Sequence, residues 1–598
     1  MNKQLIITIT GLFLAVNVFA QTNNRTGEED TLKNEMIIVV NYKPTIADAK
    51  KLVETPSVID TVVAKPMVRY MFGNEQYTTT YTPETIKAAK MKGEPLDPLY
   101  RGYAKAGVGN GINYLADVHL NTLRSRNGAL GFKLNSVGTQ GNYSTIAQPA
   151  PYNHTNTSIY GKKFFKKHAL DANVGYDRER VMYYGFDETN PYYSGIEPDL
   201  QDKVFKQVYN DWSTDLSLKS FYNDSSKLNH KIDLGYHFFS DLYMANIEHN
   251  VVGKGNMNTY FGTHLFDLDL LADFNSISYA NPYTFQPYDS IPEVNNNFIA
   301  KIYPKFITQN DKWRVEVGLE LQAEMSADGT TPYIYPRING KYNLVKEIII
   351  PYASFSGGFG RGVSRNNLNS LTGTNPFLWT NLTPLQNTKE VYNLKGGFRG
   401  AFTNRFTYNL YANLYKQENT PLFTNYNASQ FNAGLSRFGE NYFVVIYDTV
   451  ATTEIGGELT YRIDEKLQIV GSGVFRSFNT THEFEAWQRP NVEVHLSGFY
   501  QIRSKISLKG QLHFFGPRWS KSFDNTAERI GYQDQYVYGN LLPSIFDLSL
   551  GAEYRYTERL SGFINFNNLV AQKYQYWNQF PAQRFNVMFG ATFSFWKE

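Results

Sequence analysis

The chain has no cysteine among its 598 residues. That removes any disulfide framework, any lipidated N-terminal cysteine and every metal site built on thiolates. Long apolar runs are missing too. After residue 20 nothing approaches the roughly 20 consecutive apolar residues a membrane helix needs. Charge of one sign is also lacking: 58 Lys and Arg face 55 Asp and Glu, and a net charge of +3 points to no nucleic-acid partner. Catalytic signatures are absent, with no G-x-S-x-G elbow, no H-E-x-x-H and no Walker A loop. The glycines of Gly107-Val108-Gly109-Asn110-Gly111 precede no helix, and those between Gly357 and Gly362 sit inside a strand pattern. The expectation is a chain that is not an enzyme and carries no cofactor or metal.

What is present is aromatic: 44 Tyr and 42 Phe bring the aromatic content to 16 %. The most ordered use of these residues lies just short of the C-terminus. Phe585, Val587, Phe589, Ala591, Phe593 and Phe595 alternate with Asn586, Met588, Gly590, Thr592, Ser594 and Trp596. A strict period of two is a β-strand with one apolar face. The same alternation recurs from about residue 100, as in Tyr114 to Asn121, Phe406 to Leu414, Ile506 to Phe514 and Phe546 to Arg555.

The connections are sorted by length. Short polar turns occur at 125–128, 166–168, 310–312, 403–405, 464–466, 503–505 and 557–559. Longer stretches rich in Asn, Pro, Tyr and Gly occur at about 139–153, 180–203, 279–295, 362–386, 417–440, 478–490, 516–541 and 570–583. Short turns on one side and long loops on the other mark an outer-membrane barrel, in which aromatic girdles account for the Tyr and Phe excess. The pattern predicts an all-β transmembrane antiparallel barrel over 99–598, with about 22 strands in a range of roughly 16–22. Such a barrel is too wide for wall side chains to fill.

The front of the chain fits that compartment. Residues 1–20 read as a signal peptide, with Lys3, an apolar run from Leu5 to Val16 and the small-x-small site Val18-Phe19-Ala20. Residues 21–98 read as an N-terminal periplasmic or lumenal segment.

A family resemblance rests on the last part of the chain. Phe546-Asp547-Leu548-Ser549-Leu550 is followed by Ile564-Asn565-Phe566-Asn567-Asn568-Leu569, then Lys573-Tyr574, Tyr576-Trp577 and the strand from Arg584. This order resembles the C-terminal end of TonB-dependent outer-membrane receptors, and the aromatic, Asn-rich loops resemble outer-membrane proteins of the Bacteroidota. The resemblance implies a barrel in the cell outer membrane, in contact with its lipids, acting in transport of a polar solute. Those receptors carry a plug domain, and residues 21–98 show no plug-like pattern. Glu35-Met36-Ile37-Ile38-Val39-Val40 resembles the segment that engages TonB and also reads as an ordinary strand. Two partners follow, a TonB-system protein or a surface lipoprotein. The alternative function is a plugless scaffold subunit of an outer-membrane complex with such a lipoprotein.

Candidate lumen charges come from the inward faces: Asp267, Asp269, Asp273, Glu493, His495, Lys509, Glu553 and Arg555. Wall charges tune which solutes a pore admits; the preferred reading is that they form ion pairs that keep wall side chains hydrated, or hold the N-terminal segment. The three aspartates lack the tight loop of an EF-hand. The loop aromatics Tyr192, Tyr193, Tyr283 to Tyr288, Phe377 to Trp379 and Phe423 to Tyr426 suit either binding or packing that closes the outer mouth.

Overall fold

The computed structural model describes residues 100–597 apart from 123, 124, 126, 142–149, 186–205, 223–226, 281–292, 328, 383, 384, 426–441, 523–527, 533 and 534. The expected signal peptide, the segment 21–98, the stretch 35–40 and the aromatic pairs at 192–193 and 283–288 lie outside the described residues.

Alternation of apolar and polar side chains produces long strands. In chain order these are β1 (Tyr100–Gly109), β2 (Asn113–Asn121), β3 (Gly128–Thr139), β4 (Tyr152–Phe164), β5 (His168–Met182), β6 (Lys206–Ser220), β7 (Asn229–Asp241), β8 (Ile247–Phe261) and β9 (His264–Ser278). Then come β10 (Val294–Gln309), β11 (Trp313–Ser326), β12 (Gly329–Tyr342), β13 (Ile350–Ser364), β14 (Thr388–Thr403), β15 (Phe406–Asn425), β16 (Phe443–Ile463), β17 (Leu467–Thr480), β18 (Val492–Ile502) and β19 (Ile506–Phe515). The last part holds β20 (Arg518–Ser522), β21 (Glu528–Tyr532), β22 (Gln535–Leu542), β23 (Ile545–Arg555), β24 (Leu560–Asn567), β25 (Gln575–Trp577), β26 (Phe580–Pro581) and β27 (Asn586–Lys597). Strands β20 to β22 form a small sheet and β25 and β26 a hairpin; the remaining 22 strands form one antiparallel sheet.

That sheet closes on itself. The C-terminal strand β27 pairs with β1, placing Phe593 opposite Ala104, Ala591 opposite Ala106 and Phe589 opposite Val108. A closed barrel leaves no unpaired strand edge, which is what allows a sheet to sit in lipid. The faces separate as the alternation predicts. Phe589 and Phe593 are 60 % and 45 % exposed on the outside, while Thr592 and Ser594 are buried on the inside. The same holds around the ring, with Leu234, Phe274, Phe306, Leu410, Leu496 and Leu550 all exposed on the outer face. The wall is therefore an all-β transmembrane barrel with an apolar outer belt.

The turns at 165–167, 262–263, 310–312, 404–405, 464–466 and 503–505 all fall at one end of the barrel. The long connections 365–387, 426–442, 516–544 and 568–585 fall at the other, which is the outer end. Strands β15 and β16 have 20 and 21 residues, about twice what a tilted strand needs to cross the bilayer. Their outer halves therefore stand above the membrane and support the loops. The glycines at 357–362 lie at a register shift between β13 and β14, and Gly357 has φ +143°, a conformation that a side chain would strain.

Candidate functional site: the lumen and its outer mouth

All eight candidate charges lie on the inner face of the wall, but in separate sectors, and most already have partners. On β9, the Lys305 ammonium lies 2.7 Å from Asp269 and 3.5 Å from Asp267. The Asn256 amide donates to both carboxylates at 2.6 and 2.7 Å. Asp273 pairs with Arg365 at 2.8 Å and accepts from Asn250 at 2.8 Å. On the far side of the ring, Arg476 bridges Glu454 and Glu493, each at 2.7 Å. His495 and His513 face each other across β18 and β19 with their Nδ1 atoms 3.1 Å apart. Asp547, opposite His513, accepts from the Tyr574 hydroxyl at 2.8 Å. Lys509 lies opposite Gly551, Glu553 accepts from Ser561, and the Arg555 backbone N–H donates to the Lys505 carbonyl.

The wall adds pairs that the sequence reading did not select. Glu320, only 1 % exposed, is held between Lys301 at 3.0 Å and Arg337 at 2.8 Å. A carboxylate that deep needs such partners to offset the loss of hydration. Among the described residues, no group of three or more His, Cys, Asp or Glu side chains is placed to hold a metal ion.

The outer mouth is crossed by the connection between β13 and β14, residues 365–387. It contains a short helix, α1 (Leu368–Thr374), whose N-cap Asn367 and Ser370 exchange side-chain-to-backbone hydrogen bonds at 2.9 and 3.1 Å. On one side Leu368 packs among Val181, Tyr209, Phe239, Ile277 and Tyr279 at the outer ends of β5 to β9. On the other, Leu371 and Leu378 join Phe423 and Phe443 of β15 and β16 with Trp577 and Phe580. These groups come from strands far apart in the ring, so a loop touching all of them must span the opening. Phe377 stacks on Phe580 with ring centroids 3.8 Å apart, and Tyr184 meets Phe580 edge-on at 5.1 Å.

Polar bonds fix the same loop. The Tyr183 and Tyr209 hydroxyls donate to the Leu378 carbonyl at 3.0 and 3.2 Å. Thr380 donates to the buried Asp241 and accepts from Asn246. Burial pushes the Tyr183 phenol well above its ordinary range, so it remains a donor. Of the two uses expected for Phe377 to Trp379 and Phe423, closure of the mouth by packing is the one the structure displays.

Beneath α1 lies a recess of about 290 Å³ between the loop and β4 to β7. Its wall side offers Tyr152, His154, Asp177, Glu179 and Asp211, and its lid side Asn369 and Thr372. The Asn369 amide spans the two, donating to Asp211 at 3.0 Å. Sequence reading missed this group. Asp177, Glu179 and Asp211 do sit at alternate positions of strand patterns, but nothing local says that a loop 158 residues beyond Asp211 covers them.

The chain matches no protein-family model and no curated protein. It is similar in fold to large outer-membrane barrels among solved structures. The FrpB iron transporter from Neisseria meningitidis aligns with a TM-score of 0.61 at 10 % identity, covering 84 % of this chain and 82 % of that one. The siderophore receptor PirA from Acinetobacter baumannii aligns at 0.60 and 10 % identity, over 84 % and 81 %. The copper transporter OprC aligns at 0.56 and 11 % identity, over 83 % and 81 %. At 10–11 % identity the likeness is one of fold.

Proposed function

We propose that this chain is an outer-membrane barrel of TonB-dependent-receptor type that carries a polar solute across the outer membrane. The observation that carries this reading is the recess shared by wall and loop. A mouth closed by a loop with hydrogen-bonding groups on its underside suits a gate that is read by the solute it admits. The lumen is lined by acids, amides and histidines, which favour polar cargo over apolar cargo. Residues 35–40 would engage a TonB-type energising partner, and a surface lipoprotein would sit on the outer loops. Residues 21–98 would occupy the periplasmic side or the lumen.

The test is conductance and solute uptake by the purified full-length protein in planar bilayers and liposomes. Replacing residues 366–386 by a short Gly-Ser linker should raise conductance and solute entry. No change in either, with the barrel still folded, would count against a gate.

A second reading is a sealed scaffold subunit. The pairing of Asp267, Asp269, Asp273 and Glu493 with lysine and arginine favours it, because such pairs also serve a wall that passes nothing. A scaffold predicts no conductance even after removal of the loop and stoichiometric recovery of a lipoprotein from native membranes.

A further inference from the structure

The recess beneath α1 carries a charge balance that folding alone disfavours. Register sets it. Asp177 of β5 lies directly opposite Asp211 of β6, and the next inward pair toward the outer end is Glu179 opposite Tyr209. Like charges directly opposite on one face of an antiparallel pair repel. Elsewhere in the wall acids are answered by strong bases, Asp269 by Lys305 and Glu320 by Lys301 and Arg337. Here, among the described residues, no lysine or arginine pairs with Asp177, Glu179 or Asp211. Arg178 alternates to the other face of β5, where it donates to Asn153 at 3.1 Å. The basic groups in reach are His154, 3.4 Å from Asp177, and His237, 3.3 Å from Asp211. Histidine is a weaker counter-charge than lysine or arginine at neutral pH.

Asp211 also has an acceptor to spare. Its Oδ2 accepts from Asn369 at 3.0 Å and faces His237, whereas its Oδ1 is buried with no hydrogen-bond partner. A buried carboxylate oxygen without a donor costs the hydration that it lost. A cation that carries N–H groups meets both needs, and the lining says which kind. No group of three or more His, Asp or Glu is placed to hold a metal ion, among the described residues. The rings of Tyr152, Tyr209 and Phe239 line the same space, and rings attract organic cations within about 6 Å. A volume of about 290 Å³ stands at the small end of ligand pockets, about 300–1,000 Å³. The Asp177 and His154 side chains are 35 % and 33 % exposed, so solvent enters.

We propose that the recess binds the ammonium group of a small organic solute, held by Asp177 and Asp211 with its carbon skeleton against the rings. This rests on the reading of the recess as the place where the gate meets its solute, and it names the class of that solute. Asn369 of α1 donates to the same Asp211, so solute and loop share one acceptor. The test is calorimetric titration of the purified full-length barrel in detergent at neutral pH, with phenethylamine as probe and uncharged phenethyl alcohol as its match. The amine should bind at least tenfold more tightly. Asp177→Asn and Asp211→Asn keep the volume and should each weaken the amine at least tenfold. Asp177→Asn should also unfold at no lower temperature than the wild type, because it removes a repulsion. Asp171→Asn, on the same face of β5 near its periplasmic end, should bind as the wild type does. Equal affinity for amine and alcohol, unchanged affinity in both recess variants, or the same loss in Asp171→Asn would overturn the proposal. So would tighter binding of calcium that the same two variants abolish. Binding is read without transport. A protein that ignores the amine, yet conducts more once residues 366–386 are replaced, therefore loses this solute class and keeps its gate.

Discussion

Arg365→Ala is the substitution that most directly tests whether the loop over the mouth is a gate. Arg365 begins the loop and ties it to the wall. Its guanidinium lies 2.8 Å from Asp273 and donates to the Asn297 side chain at 3.0 Å and the Asp273 carbonyl at 2.8 Å. The two charged side chains are 9 % and 12 % exposed. Removing one member of a buried pair costs about 3–5 kcal/mol, because the other charge remains without its partner. Loop opening relieves that cost by letting water reach Asp273, so the loss acts on the closed state. The lower bound applies beside a polar lumen. About 3 kcal/mol, at about 1.4 kcal/mol per factor of ten, raises the open-to-closed ratio roughly 100-fold. The assay is single-channel recording in planar bilayers, supported by entry of a bulky hydrophilic antibiotic into cells. Arg476→Ala is the control, since it breaks the same chemistry with Glu454 and Glu493 away from the loop. If Arg365→Ala migrates as a folded barrel yet opens no more often than the wild type, or if Arg476→Ala opens equally, the gating argument is wrong.

Three other outcomes follow from the geometry. Phe580→Ala removes the ring stacked on Phe377; at about 3–5 kcal/mol for a buried Phe→Ala change, hydrogen exchange at 377–379 should accelerate while the barrel still migrates as folded. Lys305→Met leaves Asp267 and Asp269 with only amide donors, so reversal potentials should shift toward cation selectivity; an unshifted potential in a conducting barrel removes these charges from any role in selection. Gly590→Val should block closure of the barrel, because an added Cβ runs into the Ala106 carbonyl across the seam. Gly498→Val, with nothing within 4 Å of its Cβ, should be tolerated, and the loss of heat-modifiable gel migration distinguishes the two.

The wall was legible because a period of two needs no long-range information. Most residues of Phe585 to Phe595 declare their face by their own polarity, Met588 excepted, and most of the short turns lie at the inner end, with 110–112 and 327–328 at the outer one. Pairings across a tight turn were legible in principle as well. β8 and β9 are joined through Gly262 and Thr263, so the register that puts Asn256 beside Asp269 is fixed by the turn alone. Lys305 meets Asp267 across β9 and β10, whose connection is the long stretch 279–293, and no local rule sets that register. This is why the sequence offers both solute attraction and ion pairing for the three aspartates but names no lysine or arginine partner for them, whereas in the structure Lys305 meets Asp267 and Asp269 and Arg365 meets Asp273. The mouth loop was less legible still. Its segment Asn366-Asn367-Leu368-Asn369-Ser370-Leu371-Thr372 reads as polar surface, with only the i, i+3 spacing of Leu368 and Leu371 and the Asn367–Ser370 capping pair hinting at a helix with a buried side. What buries that side is contributed by Tyr209 and Phe239 of the neighbouring strands β6 and β7, by Phe423 and by Phe580, three widely separated parts of the chain. The aromatic excess therefore has two causes rather than the one that composition suggested: rings on the outer face meet lipid, and rings at the outer mouth pack a loop across the opening. A chain in which only the first cause operated would keep its barrel after Phe377 and Phe580 were lost and would gain no permeability, so the pair decides whether this wall is a closed mouth or merely a wide one.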